Sequence, residues 1–176
     1  MTLTQEQRQV ALARIAEASV IAEKATDCPA ELSAAQCILE TGWLQHYPKD
    51  SNNVFGIKDT DRYPGAVYVF TKEFENGEWR TLKLAFESYP TLADCFIDHG
   101  RLITGGFNHN KPNCYSPAYN LFRVDRDVEA FARRISAHYA TDPAYAGKIV
   151  SLMNRDDVAE AIATARDNLE RKEVKP

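Results

Sequence analysis

The sequence predicts a mainly α domain of the α+β class, with about six helices and one small β-hairpin lobe. Apolar residues recur at helical spacing in most of the chain. Two alternating runs flank Asn76-Gly77, which is the strongest short-range hairpin signal. The 176 residues suffice for one core, and no repeat or linker divides them. We therefore expect one domain over 1–176, with a charged tail at 170–176.

The first two helices are predicted from their end signals. Thr4 and Gln7 form a capping-box pattern that opens a helix over 4–25. The second helix has Pro29 in its first turn and Gly42 at its end. Because apolar residues occupy almost every side of this second helix, we expect it to be buried.

A hairpin is predicted over 66–85. A two-residue turn at Asn76-Gly77 places Glu73 opposite Arg80 and Phe74 opposite Trp79. One face of the hairpin is then aliphatic, and the other carries aromatic side chains. The aliphatic face comprises Val67, Val69, Leu82 and Leu84, and the aromatic face Tyr68, Phe70, Phe74 and Trp79.

Four more helices are expected after the hairpin, with an irregular stretch over 104–120. Each begins at a capping residue. These helices are Thr91–Ile103, Asp127–Tyr139, one opened by Asp142 and Pro143, and one opened by Asp156 or Asp157.

Composition excludes several classes of protein. The formal net charge of −4 provides no basic patch, which argues against a nucleic-acid partner. No apolar run approaches the ~18 residues of a membrane helix, so we expect no membrane insertion. The four histidines lack metal-ligand spacing, and we expect neither a metal nor a cofactor. Free thiols are favoured over a disulfide for Cys28, Cys37, Cys95 and Cys114.

Glu40 is the main candidate for chemistry. It lies four residues after Gln36, on the same side of a helix that is otherwise apolar. Burial raises the pKa of a carboxyl group, which is how a general acid is made. The alternative is a structural glutamate at the helix end.

Four motifs in order strengthen the catalytic interpretation. Residues 35–43, Ala-Gln-Cys-Ile-Leu-Glu-Thr-Gly-Trp, are similar to the Ala-Gln-x-x-x-Glu-Ser-Gly-Trp signature of the peptidoglycan hydrolases of glycoside hydrolase family 73. Residues 52–58, 71–77 and 139–145 resemble further motifs of that family. The resemblance implies a lysozyme-like fold and an endo-β-N-acetylglucosaminidase that acts on peptidoglycan glycan strands. It assigns the general acid to Glu40.

The second catalytic group stays open. The resemblance makes Glu73 a base that activates water, whereas the hairpin register permits a simple ion pair with Arg80. A third route uses the 2-acetamido group of the substrate as nucleophile, assisted by Tyr139.

Further residues are candidates for sugar binding, each with a structural alternative. Loop asparagines can bind sugar hydroxyls or form turns, and aromatic rings can stack on sugars or pack in the core. The candidates are Gln36, Trp43, Asn52, Asn53, Phe55 and Tyr145. Three residues depart from the family pattern, namely Thr41 for serine, Leu44 for glycine and Glu87 for arginine.

Two rival functions remain at this level. One is a muramidase or lytic transglycosylase on the same fold, and the other is a non-catalytic glycan-binding module. We expect a monomer. The localisation is not assigned: no secretory signal opens the chain, so a peptidoglycan hydrolase would reach its substrate by lysis or by a dedicated secretion or injection route.

Overall fold

The computed structural model describes residues 3–48, 50–59, 65–75, 77–105 and 113–174, without the side chains of 72–75 and 174. This part of the chain contains seven helices and one two-stranded antiparallel sheet, which confirms the mainly α class. The elements are α1 (Gln5–Thr26), α2 (Ala30–Thr41), β1 (Val67–Glu75), β2 (Glu78–Phe86), α3 (Leu92–Ile103), α4 (Ser116–Asp125), α5 (Val128–Tyr139), α6 (Tyr145–Met153) and α7 (Asp156–Val174).

Helix α2 lies between two apolar clusters. Its residues Ala34 and Ile38 pack in a cluster with α1, α3 and α7. Leu32 and Ala35 pack in a second cluster with α4, α5 and α6. Burial on both sides explains why α2 is apolar almost all round. Glu40 is the exception: it lies in the last turn with part of its side chain exposed, so it is less buried than the pattern of the helix predicted.

The predicted end signals form as expected. The hydroxyl of Thr4 accepts a hydrogen bond from the Gln7 amide, and the Gln7 side chain accepts one from the Thr4 amide. Asp127 accepts from the Ala130 amide at the start of α5. Gly42 ends α2 at φ +57°, in the left-handed region that glycine adopts without strain.

Two helix predictions need correction. Helix α4 begins at Ser116, inside the stretch that was expected to be irregular. Its first turn contains Pro117, and the ring of Phe122 stacks on Phe131 with centroids 4.8 Å apart. Packing against α5 therefore stabilises a helix that the surrounding glycines, asparagines and prolines obscure in the sequence. Helix α6 begins at Tyr145 rather than at Asp142.

The hairpin has the predicted register, with Glu73 opposite Arg80 and strands over 67–75 and 78–86. Its base is joined to the preceding loop, because the Glu87 amide donates to the Ile57 carbonyl at 3.0 Å. The aliphatic face is half-buried. The described aromatic side chains of the other face, Tyr68, Phe70 and Trp79, are exposed.

Three of the four cysteines, Cys28, Cys37 and Cys95, are buried, and Cys114 is exposed. All four are free thiols. Within the described ranges, no helix is long and apolar enough to cross a membrane. The same ranges contain no group of three potential metal ligands.

Candidate active site

Helix α2 presents Gln36 and Glu40 to Tyr145, the first residue of α6. The Gln36 side-chain amide is fully buried, and its Nε2 donates to the Tyr145 hydroxyl at 3.2 Å. That hydroxyl in turn donates to Glu40 Oε1 at 3.4 Å. The three side chains therefore form a continuous hydrogen-bonded chain that runs from the core to an exposed carboxylate.

Tyr139, the last residue of α5, adds a second phenol beside this chain. Its ring stacks on Tyr145 with centroids 5.5 Å apart and an interplanar angle of 23°. Three helices thus bring together Gln36, Glu40, Tyr139 and Tyr145, four of the residues that the sequence offered as candidates. Burial raises the pKa of both tyrosines, so both hydroxyls keep their protons at neutral pH.

The pKa of Glu40 reflects two opposing effects. Partial burial raises it, and the hydrogen bond from Tyr145 lowers it, with burial the larger effect. A carboxyl group that holds its proton to higher pH is better suited to protonate a leaving group. The exposure of Glu40 gives a substrate access to that proton.

His99 of α3 contacts the hydroxyl of Tyr139, and the sequence did not identify it as part of the site. Its Nε2 lies 3.5 Å from the Tyr139 hydroxyl. The imidazole is fully buried, which lowers its pKa to about 3 and keeps the ring neutral. A polar residue on the inward stripe of α3 is the signal that could have identified it.

Phe55 was predicted to stack on sugar, but its described contacts lie in the core. Its ring stacks on His99 with centroids 3.8 Å apart and meets the edge of Phe96 at 4.9 Å. Phe55 therefore fixes the imidazole that contacts Tyr139.

The two loop asparagines bind backbone. Asn53 is buried, and its Nδ2 donates to the carbonyls of Ile57 and Glu87 at 2.9 Å each. The Nδ2 of Asn52 donates to the Tyr89 carbonyl, also at 2.9 Å. These contacts join the loop to the hairpin base, and they give no support to direct sugar binding by either side chain.

Trp43 follows the helix end at φ +66° and packs against the α1–α3–α7 cluster. The guanidinium carbons of Arg8 and Arg155 lie 5.2 and 5.6 Å from its ring centroid. Cation–π contacts of this kind anchor the α2–loop junction. The described contacts of Trp43 are thus structural.

Glu73 lies on β1 with its backbone opposite Arg80, as predicted. Its side chain falls outside the described part of the structure, so the predicted ion pair and the predicted catalytic role are both untested. The Arg80 guanidinium lies 3.8 Å from the carboxylate of Glu78 on its own strand.

All three departures from the family pattern have structural consequences. Leu44 has φ +60°, a conformation that favours glycine, so leucine here is strained. Glu87 is fully buried at the hairpin base, where its backbone bonds to Ile57 and Asn53. Thr41 is also buried, and its hydroxyl accepts from the Leu44 amide at 2.9 Å, so threonine supports the turn after α2.

A shallow hollow of about 650 Å³ lies between α2, the segment before α6 and α6 itself. Leu39, Ala144 and Gly147 are among its lining residues, and an added Cβ at Gly147 would meet no other atom within 4 Å. Leu39 and Ala144 are the sequence neighbours of Glu40 and Tyr145, which do not themselves line the hollow.

The chain is similar in sequence to known enzymes. The chain is 31% identical to the peptidoglycan hydrolase FlgJ of Salmonella typhimurium over 170 residues, covering 90% of the chain and 51% of that protein. It is 32% identical to the exo-glucosaminidase LytG of Bacillus subtilis, covering 81% of the chain and 49% of that protein. The chain thus spans about half the length of these relatives.

Solved structures share the fold. A C-terminally truncated glycoside hydrolase domain of Salmonella typhimurium FlgJ superimposes with a TM-score of 0.63 at 31% identity, covering 83% of this chain and 95% of that one. The catalytic domain of the autolysin Auto from Listeria monocytogenes gives 0.73 at 20% identity, covering 92% and 90%. The sequence profile described as mannosyl-glycoprotein endo-β-N-acetylglucosaminidase matches residues 16–158. The chain therefore belongs to the glucosaminidase family, glycoside hydrolase family 73.

Proposed function

We propose that this chain is a single glucosaminidase domain that hydrolyses peptidoglycan glycan strands at the β-1,4 bond following N-acetylglucosamine. The observation that carries the proposal is the Gln36–Tyr145–Glu40 chain, which ends in an exposed carboxylate of raised pKa. The relatives named peptidoglycan hydrolase and glucosaminidase supply the substrate class. The domain acts as a monomer and without a cofactor.

Glu40 acts as the general acid. Its protonated carboxyl donates to the glycosidic oxygen while the bond to the anomeric carbon breaks and an oxocarbenium-like centre develops. The Tyr145 hydroxyl, 3.4 Å away, stabilises the carboxylate that remains. The tyrosine thereby assists proton transfer without taking part in bond cleavage.

Glu73 acts as the general base, which takes a proton from the water that attacks the anomeric carbon. Inverting enzymes separate their two carboxyl groups by ~6.5–9.5 Å, which leaves room for the attacking water. The position of Glu73 supports this role, because the register places it on the half-buried aliphatic face of the hairpin rather than on the exposed aromatic face. Tyr139, half-buried beside Tyr145, orients the sugar at the same site. Gln36 is fully buried and acts through its hydrogen bond to Tyr145.

The reaction is tested by digesting purified sacculi and identifying the new reducing ends by mass spectrometry. The proposal requires reducing N-acetylglucosamine. Reducing or anhydro N-acetylmuramic acid would instead identify a muramidase or lytic transglycosylase. Binding without turnover across several pH values would identify a non-catalytic module.

Substitution of Glu73 tests the two-carboxylate mechanism. Glu73→Gln is expected to reduce turnover by ~10²–10⁴-fold, the usual contribution of general base catalysis, with an inverted product. Arg80→Ala is the control, because an exposed cross-strand pair contributes only ~0.2–1 kcal/mol to stability. Full activity of Glu73→Gln, or a product of retained configuration with a larger loss in Tyr139→Phe, would favour the acetamido route.

A further inference from the structure

The outer face of the hairpin exposes three aromatic rings. The exposed fractions are 61% for Tyr68, 71% for Phe70 and 71% for Trp79. Tyr68 and Phe70 are two residues apart on β1. Trp79 on β2 lies opposite Phe74, which is six residues after Tyr68. All three therefore share one face of the sheet. Single exposed apolar residues are ordinary, but an aligned group of aromatic residues marks an interaction surface.

The rings form a row rather than a compact patch. The ladder positions of Tyr68 and Trp79 are separated by six residues along the register. At a rise of ~3.4 Å per residue the row extends about 20 Å, long enough for several units of an extended polymer. A narrow row of this length suits a linear chain better than it suits a globular partner.

The charge on this face has the opposite sign to that of the chain. Lys83 pairs with Phe70, and its Nζ lies 4.9 Å from the Tyr68 ring centroid. The side chains that the structure describes on this face include no carboxylate. A chain with net charge −4 thus presents a locally basic aromatic face, which complements an anionic partner.

We propose that this face binds a glycan strand bearing carboxylate groups, at a position outside the cleft. The rings stack on the apolar faces of pyranose units, and Lys83 pairs with a carboxylate of a lactyl or peptide substituent. This inference rests on the proposed function. It gives the hairpin a second role, because the lobe that carries Glu73 on one face holds the polymer on the other. The hairpin thereby retains the insoluble substrate near the cleft.

Binding to purified sacculi tests the proposal without any need for turnover. The Glu40→Gln background removes hydrolysis, and Tyr68, Phe70 and Trp79 are replaced together by threonine, which retains β propensity. The fraction of protein that sediments with sacculi is then titrated. We expect the dissociation constant to rise about tenfold or more, because truncated aromatic anchors dominate such surfaces. Val124→Thr is the control, since it changes an 85% exposed apolar residue on α4.

Lys83→Gln separates the charge from the rings. Sacculi whose carboxylates are capped as neutral amides, with a carbodiimide and ethanolamine, lose negative charge but keep their sugars and cross-links. The binding defect of Lys83→Gln is expected on untreated sacculi and should shrink on capped sacculi, whereas the defect of the ring variant should persist on both. The defect of Lys83→Gln should also shrink in high salt.

Three results would overturn the inference. Equal binding of the ring variant and its parent would show that the rings do not contact the polymer. A dimer that the ring substitutions abolish, seen by sedimentation equilibrium, would identify a second copy as the occupant. Ring-dependent binding to anionic phospholipid vesicles, without binding to sacculi, would identify a membrane. Failure of the proposed function would register separately, as absence of turnover in the chain with Glu40 intact.

Discussion

Glu40→Gln is the most direct test of the site, because the structure predicts separate effects on turnover and on stability. The substitution removes the transferable proton but keeps an acceptor oxygen for the Tyr145 hydroxyl, now 3.4 Å from Oε1. Loss of general acid catalysis is expected to reduce turnover by ~10²–10⁴-fold. At ~1.36 kcal/mol per tenfold, this corresponds to ~2.7–5.4 kcal/mol of transition-state stabilisation.

Stability should hardly change. The Glu40 side chain is exposed, and its described hydrogen bond survives in the amide, so we expect a change within ~0.5 kcal/mol. The assay is release of reducing ends from sacculi, paired with thermal melting. Glu31→Gln is the matched control: it makes the same change in the first turn of α2, removes an ion pair of 2.9 Å with Arg166, and should leave turnover intact. Near-normal turnover of Glu40→Gln in a folded protein would refute the assignment.

Three other substitutions test single contacts. Tyr145→Phe removes the hydrogen bond that lowers the pKa of Glu40, so the high-pH limb of the pH–rate profile should move to higher pH, and an unmoved limb would contradict this contact. Leu44 has φ +60°, so Leu44→Gly should have a free energy of unfolding about 1 kcal/mol higher than Leu44→Ala, measured by urea denaturation. The control is Ala13→Gly on the exposed side of α1, which should lower the free energy of unfolding by about 1 kcal/mol. Arg166→Gln breaks ion pairs of 2.9 Å with two partly exposed carboxylates and should lower the free energy of unfolding by about 0.5–1 kcal/mol, less in high salt; a loss that salt does not change would refute the ionic origin.

Local signals predicted the framework well because their physical causes are local. The Thr4 capping box and the Gly42 helix end depend on neighbouring backbone groups. The register that sets Glu73 opposite Arg80 follows from turn length alone. The pairing of Gln36 with Glu40 likewise depends only on helical spacing. Helical spacing therefore placed two of the three residues of the hydrogen-bonded chain on one side of α2 before any tertiary contact was known.

Features that arise from tertiary packing could not be predicted in this way. Helix α4 depends on the stacking of Phe122 on Phe131, a contact nine residues apart across a turn. Phe55 is half-buried because its loop packs against α3, where its ring contacts Phe96 and His99. Asn53 binds the backbone of residues 57 and 87, and no spacing rule predicts a partner 34 residues away. A motif that resembles a family thus locates a residue without revealing which atoms it contacts.

The burial of Gln36 bears on how the acid changes its protonation state. Its Oε1 is buried without a hydrogen-bond partner in the described structure, and a buried unsatisfied oxygen costs ~1–3 kcal/mol. In the geometry observed, donation runs from Gln36 Nε2 through Tyr145 to a carboxylate at Glu40. A protonated Glu40 can accept from Tyr145 through its carbonyl oxygen, or it can turn its O–H toward the Tyr145 hydroxyl. In the second arrangement Tyr145 accepts from Glu40 and directs its own hydrogen toward the amide. Gln36 has both a donor and an acceptor at that position, and rotation of the amide presents Oε1 to the hydroxyl. Leucine would remove the unsatisfied oxygen but could serve neither direction. The oxygen that lacks a partner in one arrangement is therefore the acceptor that the other arrangement uses.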